Sequence, residues 1–489
     1  MPIEQLDPKR WWALSVISMT QLVLVLDATI VNVALPKAQL ELNMTDAERQ
    51  WVITAYVLAF GSLLLLGGRL ADLWGRKRNY MIGMLGFGVA SLWGGFAHNS
   101  GELIAARGLQ GAFAALLAPA ALSMLTVIFT SGKERATAFS IFGIVAGTGA
   151  AIGLALGGVL TEFVGWRSCL LVNIIFAVLG LAGASLFIKE SRSDARRAYD
   201  LWGAVTVTLG FGSLVYGLTL AESGWLSGGT LLFLALGVLL VGLFVLIEAK
   251  TPYPLLPLRV LQDRTRVGAF IVQAVVGSVY IGATMFQAFH LQALLKFSPL
   301  VAGFASLPLA ISTMVVAPLA TRLFQRFGGR YVMASGLLIS AVGMVYLAQL
   351  TLNGNYWSQV FPGMLLVGIG LAFVVVPVQN VALTGVMWND AGAASAVVSS
   401  AFQLGGSVAL AIFTTLFVGI DGGYGSGGVE GYSAVYLSSA AALMGGAILA
   451  SILIRTPSAT ETTTSWDDEG TNEWGEQDAT SNQASGSSW

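Results

Sequence analysis

Asp27 is the one carboxylate in the apolar run LVLVLDATIVNVALP (Leu22–Pro36). Arg107 is the one charge in LIAARGLQGAFAA (Leu103–Ala115). A carboxylate at membrane depth costs at least about 2.5 kcal/mol on insertion scales, so such residues pair, face a cavity or carry protons. Asp27 lies roughly 22 Å along a run that begins near Trp12, at 1.5 Å per residue. Arg107 lies about 6 Å into a run that enters from the opposite side. The depths agree, so the two groups are expected to meet. Asp27 would then bind a proton or contact substrate, and Arg107 would control when the proton is held. Two other readings stay open: a fixed pair that only locks helices together, and an Arg107 that reaches up to the nearer membrane surface.

The elements that hold these residues are membrane spans. Of 489 residues, 55% are hydrophobic and only 10% charged, whereas a soluble chain carries about 25% charged residues. A net charge of −1 gives no sign of a nucleic-acid partner. Cys169 is the only cysteine, and His98 and His290 stand far apart, so neither a disulfide nor a metal centre is expected. His290 is expected at the outer edge of its span, as an interface residue.

Runs of about 20 apolar residues are long enough to cross a bilayer. They fall near 12–36, 51–71, 79–97, 103–130, 137–160, 168–188, 201–221, 230–249, 267–291, 300–320, 331–351, 357–383, 393–418 and 433–454. Fourteen spans with both termini inside put nearly all basic clusters in the cytoplasm, including Arg76-Lys77-Arg78, Arg196-Arg197 and Arg322, Arg326 and Arg330. Lys37, Arg49, Arg167 and Lys296 remain outside. The reading is therefore an all-α, multi-pass protein of the cell (inner) membrane. Residues 456–489 are acidic, rich in Ser, Thr and Gly, and lack Lys and Arg, which predicts a disordered cytoplasmic tail.

GRLADLWGRKR (Gly68–Arg78) and ATRLFQRFGGR (Ala320–Arg330) align Arg69 with Arg322, Leu70 with Leu323 and Gly75 with Gly328. Each joins two spans through a basic turn, the weak symmetry of parallel-repeat transporters. The repeat implies two six-helix bundles in a pseudo-twofold arrangement, residues 1–190 and 260–455. Two inserted helices, 200–250, lie between them.

GRLADLWGRKR resembles motif A of the major facilitator superfamily, and LIAARGLQGAFAA resembles its motif B. LDATIVNVALP (Leu26–Pro36), GWRSCLLVNI (Gly165–Ile174) and LLKFSPLVAGFASLP (Leu294–Pro308) are similar to segments of the fourteen-helix drug:proton antiporters. The resemblance covers residues 1–455. It implies antiport driven by the proton motive force, proton coupling at Arg107, which the reading above joins to Asp27, and a conformational latch at Asp72, Gly75 and Arg76. GAAIGLALGG (Gly149–Gly158) keeps the antiporters' glycines, Gly149, Gly153, Gly157 and Gly158, as helix-packing positions. Leu154 replaces the motif's Pro, so this span is expected to be straighter.

Gln21, Asn32, Gln110 and Gln403 are polar residues within or near spans and are candidates for the substrate cavity. Glutamines also join helices to one another, so each has a purely structural alternative. Phe142, Phe286, Phe289 and Phe402 are candidate apolar lining. The second half has no acidic residue well inside a span, which points to neutral, monocationic or amphipathic lipophilic substrates. GTGAAIG is misspaced for a dinucleotide loop and no Walker A lysine is present, so no cofactor or ATP is expected. The expectation is a monomeric exporter that works on small lipophilic molecules and protons in the bilayer. An exporter of a lipid or a self-made metabolite or antibiotic is the alternative.

Overall fold

Long apolar runs with polar residues at their ends leave the backbone one way to satisfy its hydrogen bonds in lipid, as helices. In the computed structural model the described residues are 9–129, 132–191, 200–221, 224–252, 254–351, 354–384, 386, 391–421 and 428–455. The acidic tail expected over 456–489 lies outside them, as does the side chain of Asp72.

The helices are α1 (Arg10–Glu41), α2 (Asp46–Trp74), α3 (Arg76–Gly95), α4 (Ser100–Ile128), α5 (Gly132–Phe163) and α6 (Ser168–Phe187). Then come α7 (Leu201–Leu220), α8 (Gly228–Lys250), α9 (Arg264–Gly277), α10 (Thr284–Phe289) and α11 (Pro299–Ala305). The last four are α12 (Leu307–Leu347), α13 (Phe361–Leu383), α14 (Ala391–Asp421) and α15 (Glu430–Leu453). Polar caps set where several of them begin. Thr45 and Glu48 form a reciprocal capping box on α2, and Asn99 and Asp263 cap α4 and α9.

Among the described residues, 12 stretches are long and apolar enough to cross a membrane. One of them, Pro299–Leu347, runs for 49 residues and is interrupted at Gly328, where φ is 77° and ψ 166°. Gly75, between α2 and α3, has φ 106° and ψ 137°. These are the two glycines that the internal repeat aligns, and both sit in backbone that a side chain would strain. The repeat in sequence is thus a repeat of one turn.

α1 packs on α5 and α6, and α4 on α2 and α3. In the second half α12 packs on α13 and α15, and α9 on α13, α14 and α15. The two sets touch where α2 meets α14 and where α11 meets α5. α7 and α8 pair with each other, and α7 touches both α2 and α14. The outward faces are apolar: Ile175, Val178 and Leu179 on α6, and Leu232, Val238 and Leu239 on α8, are all exposed. Apolar surface of this extent is stable against lipid tails rather than water.

α5 is one unbroken α-helix, as are α1, α4 and α13, which contain Pro36, Pro119 and Pro377. A Cβ on Gly153 would lie 2.0 Å from Thr29 Oγ1 and 3.1 Å from the Leu26 carbonyl oxygen. Gly149 similarly faces Leu22 and Val25, and Gly157 faces Ile30. The glycine row therefore sets α5 directly on the stretch of α1 that carries Asp27. Gly158 faces the other way, against Pro299 and Leu300 of α11.

Candidate functional site

α1 and α4 lie together, and Arg107 Nη1 sits 2.6 Å from Asp27 Oδ2. Asp27 is 0% and Arg107 1% exposed, so the guanidinium does not reach up to a membrane surface. A pair this buried is held in place by further hydrogen bonds, since desolvation otherwise outweighs the attraction. Asn173 Nδ2 donates to Asp27 Oδ1 at 2.6 Å, and Gln110 Nε2 to the same oxygen at 3.3 Å. Arg107 Nη1 also donates to Gln110 Oε1 at 2.8 Å, and Nε to the Val52 carbonyl at 3.3 Å. Its Cζ lies 4.3 Å over the Tyr56 ring, a cation–π contact. Gln110 Nε2 reaches Ser91 Oγ at 2.7 Å. Four helices, α1, α3, α4 and α6, thus contribute side chains to one carboxylate network.

Arg107 and Tyr56 also line a cavity of about 820 Å³ of empty space between the two halves. Asn32 and Gln403, both cavity candidates, line it from α1 and α14. Phe402, Tyr280, Gln287 and Leu154 are among the other lining residues. The Asn32 Oδ1 and Tyr56 hydroxyl are buried with no hydrogen-bond partner among the described residues, so both can serve a ligand. Among the described residues, the lining contains one cation, Arg107, and no carboxylate.

Two of the cavity candidates lie elsewhere. Gln110 is fully buried in the carboxylate network, because its position one turn after Arg107 turns it toward α1 and α3. Gln21 is half-buried on α1 and is not part of the cavity lining. His290 departs from its expected interface position. It is 3% exposed and packs against the rings of Tyr432 and Tyr436. Phe286 and Phe289 are core residues, and Phe142 is also buried.

Sequence reasoning missed Asn173, and from the span 264–294 it chose Phe286 and Phe289 rather than the residues that line the cavity. Asn173 was visible in GWRSCLLVNI, but nothing in that segment says which carboxylate it meets. The span is not a regular helix. Ser278–Ala283 and His290–Leu294 are π-helical turns on either side of α10, and Tyr280, Ile281, Thr284 and Gln287 from this region line the cavity. Such turns rotate side chains out of the ordinary helical register and recur at functional sites.

At the motif-A turn, Gly75 precedes the first residue of α3, and Glu190 closes that helix end. Lys77 N and Arg78 N donate to its two carboxylate oxygens, each at 3.1 Å, and Arg76 N to the Ser191 carbonyl at 3.0 Å. Gly75 has φ 106°, which a side chain would strain, and a Cβ there would also push on the Glu190 carboxylate. Arg69 Nη2 reaches across to the Pro254 carbonyl at 2.8 Å.

A buried acid–base pair whose arginine lines a cavity, between two sets of helices with apolar outer faces, fits a multi-pass membrane transporter, and the family match shows that class. The chain belongs to the Major Facilitator Superfamily, which it matches over residues 17–410. It is 42% identical to the puromycin resistance protein pur8 of Streptomyces alboniger over 472 residues, covering 93% of this chain and 94% of that protein. It is 36% identical to the cephamycin export protein CmcT of Amycolatopsis lactamdurans, covering 80% and 82%. A bacterial homologue of the human lysosomal transporter Spinster has the same fold, with a TM-score of 0.66 at 16% identity over 92% of this chain and 98% of that one.

Proposed function

We propose that this protein expels lipophilic or cationic drugs and other toxic small molecules across the cell membrane in exchange for protons. The observation that carries the reading is the fully buried Asp27–Arg107 pair, with Arg107 also forming part of the wall of the cavity between the halves. When Asp27 takes a proton, Arg107 loses its counter-charge and becomes a cation facing the cavity. A cationic or weakly held substrate is then repelled, and substrate return to the cavity favours release of the proton. Alternating access supplies the direction. Residues 1–190 and 260–455 act as the two moving bundles, with 200–250 inserted between them. Asp72, Gly75 and Arg76 act as the latch at the cytoplasmic end.

Counting α3 as a span and dividing Pro299–Leu347 at Gly328 supports a reading of fourteen crossings, an even number that puts both chain ends on one side; the basic clusters favour the cytoplasm as that side. The relatives named for antibiotic resistance and antibiotic export support small, partly lipophilic substrates. Among them, the cephamycin export protein favours a second reading, export of a self-made antibiotic or metabolite by the same mechanism.

The test is substrate-triggered collapse of an imposed pH gradient in proteoliposomes, comparing wild type with Asp27→Asn. Wild type is expected to dissipate the gradient when a lipophilic cation is added. The variant is expected to bind the cation without moving protons. Normal coupling in Asp27→Asn would remove Asp27 from the proton path.

A further inference from the structure

Two more carboxyl groups are buried far from Asp27 in sequence, and the mechanism above does not use them. Asp200 begins α7 and is 5% exposed; Glu248 is near the end of α8 and is 3% exposed. Each spends one oxygen on backbone. Asp200 Oδ1 accepts from Gly203 N at 2.7 Å, and Glu248 Oε2 accepts from Leu256 N at 2.9 Å. The remaining two oxygens, Asp200 Oδ2 and Glu248 Oε1, have no hydrogen-bond donor among the described residues. They converge beside Gly203, 2.7 and 2.8 Å from the point where a Cβ on that residue would be. The absent side chain is what gives them room.

We propose that Asp200 and Glu248 form a second proton-binding site, in which one proton is shared between Asp200 Oδ2 and Glu248 Oε1. Two ionised carboxylates facing each other out of water repel strongly, and one shared proton removes that cost. The O–H between the free oxygens leaves both backbone hydrogen bonds intact, so no rearrangement is needed to hold it. One negative charge remains on the pair. Among the described residues, Arg69 of α2 is a charged group on a neighbouring element that acts on Glu248. Lys250 on α8 and Arg259 beyond it are exposed.

The site joins three parts of the molecule. α7 and α8 meet there, Leu256 belongs to the strap that leads on to α9, and Arg69 holds the Pro254 carbonyl of the same strap. Loss of the shared proton to water leaves two repelling carboxylates and loosens Glu248, with the strap it holds through Leu256 N, from Asp200 at the start of α7. Proton occupancy therefore biases the joint between the end of α2 and the second half. This consequence for transport rests on the reading given above, whereas the proton site itself does not.

The experiment is infrared difference spectroscopy of the purified full-length protein during a pH titration, in an Asp27→Asn background. A carboxylic-acid C=O band is expected at neutral pH and is lost in Glu248→Gln, whose amide donates to an ionised Asp200. Asp200→Asn is the second variant if the first does not fold. An unchanged band in whichever variant folds, or no protonated carboxyl in the parent, overturns the proposal. With Asp27 intact, Glu248→Gln is also expected to flatten the dependence of transport on pH at the side carrying the chain ends. An identical pH profile overturns the link to transport while leaving the spectroscopic result to decide the site.

Discussion

Asn173 donates to Asp27 Oδ1 at 2.6 Å, so the carboxylate paired with Arg107 is also held by a neutral amide from α6. A hydrogen bond to a charged group contributes about 1.5–3 kcal/mol. Asn173→Ala leaves the buried carboxylate with one donor fewer and is expected to lower the Tm and to slow gradient-driven transport severalfold. Thermal unfolding and transport in proteoliposomes check it, and an unchanged Tm and rate would show that the bond holds nothing in place.

Arg107 uses its planar fork on three partners, Asp27, Gln110 and the Val52 carbonyl, while its face lies on Tyr56. A lysine ammonium cannot make all of these contacts. Arg107→Lys is expected to keep the fold and lose most coupling, at least about tenfold in gradient-driven transport, a difference of about 1.4 kcal/mol. Arg107→Ala strands a buried charge, which costs about 3–5 kcal/mol if Asp27 stays ionised. A marked drop in Tm for the alanine variant and a small one for the lysine variant are the expected outcomes.

Gly153 faces Thr29 one turn beyond its contact with Leu26, next to Asp27. Gly153→Ala places a methyl where Thr29 Oγ1 now lies, and overpacking of this kind costs about 1–3 kcal/mol. Combining it with Thr29→Ala removes the oxygen and should recover much of the loss. Thermal unfolding and transport of the two singles and the double give the coupling energy. Additive losses would mean that the two residues do not press on each other.

Gly303 on α11 lies against α5 so closely that a Cβ would be 2.4 Å from the Leu154 carbonyl oxygen. That oxygen is backbone and cannot turn aside. Gly303→Val is expected to hold the halves apart at the end where α5 and α11 meet. A cysteine at the cavity position Ser306 (Ser306→Cys, with Cys169→Ser) should then react severalfold faster with a membrane-impermeant thiol reagent applied from that side. Equal labelling rates would show that the helices separate elsewhere.

Composition and hydropathy already carry the membrane class, because no soluble chain can bury so much apolar sequence with so few charges. The family was legible in GRLADLWGRKR and LIAARGLQGAFAA, since a turn that admits only Gly and a lone arginine in a span leave a fixed mark on sequence. The pairing of Asp27 with Arg107 was legible too: depth along a helix is counted in residues, and 1.5 Å per residue was enough to bring the two to one level.

Direction around a helix is not counted so easily. Gln110 looked like a cavity residue and is sealed in the network, while Asn32 and Gln403 do face the cavity, because each residue turns by about a third of a circle and the partner helix decides which side is inside. The π turns of the span 264–294 reset that register again, with no Pro to announce them; Gly277 and Gly282 stand at the first turn, but glycines are too common in these spans to single it out. The amide of Asn173, the buried state of His290 and the facing carboxyls of Asp200 and Glu248 all join residues from different helices. The sequence alone determined which groups lie at membrane depth and which helices carry them. Only the tertiary structure decided which of those groups touch, because lateral packing depends on all the surrounding side chains together and leaves no periodic trace along one chain.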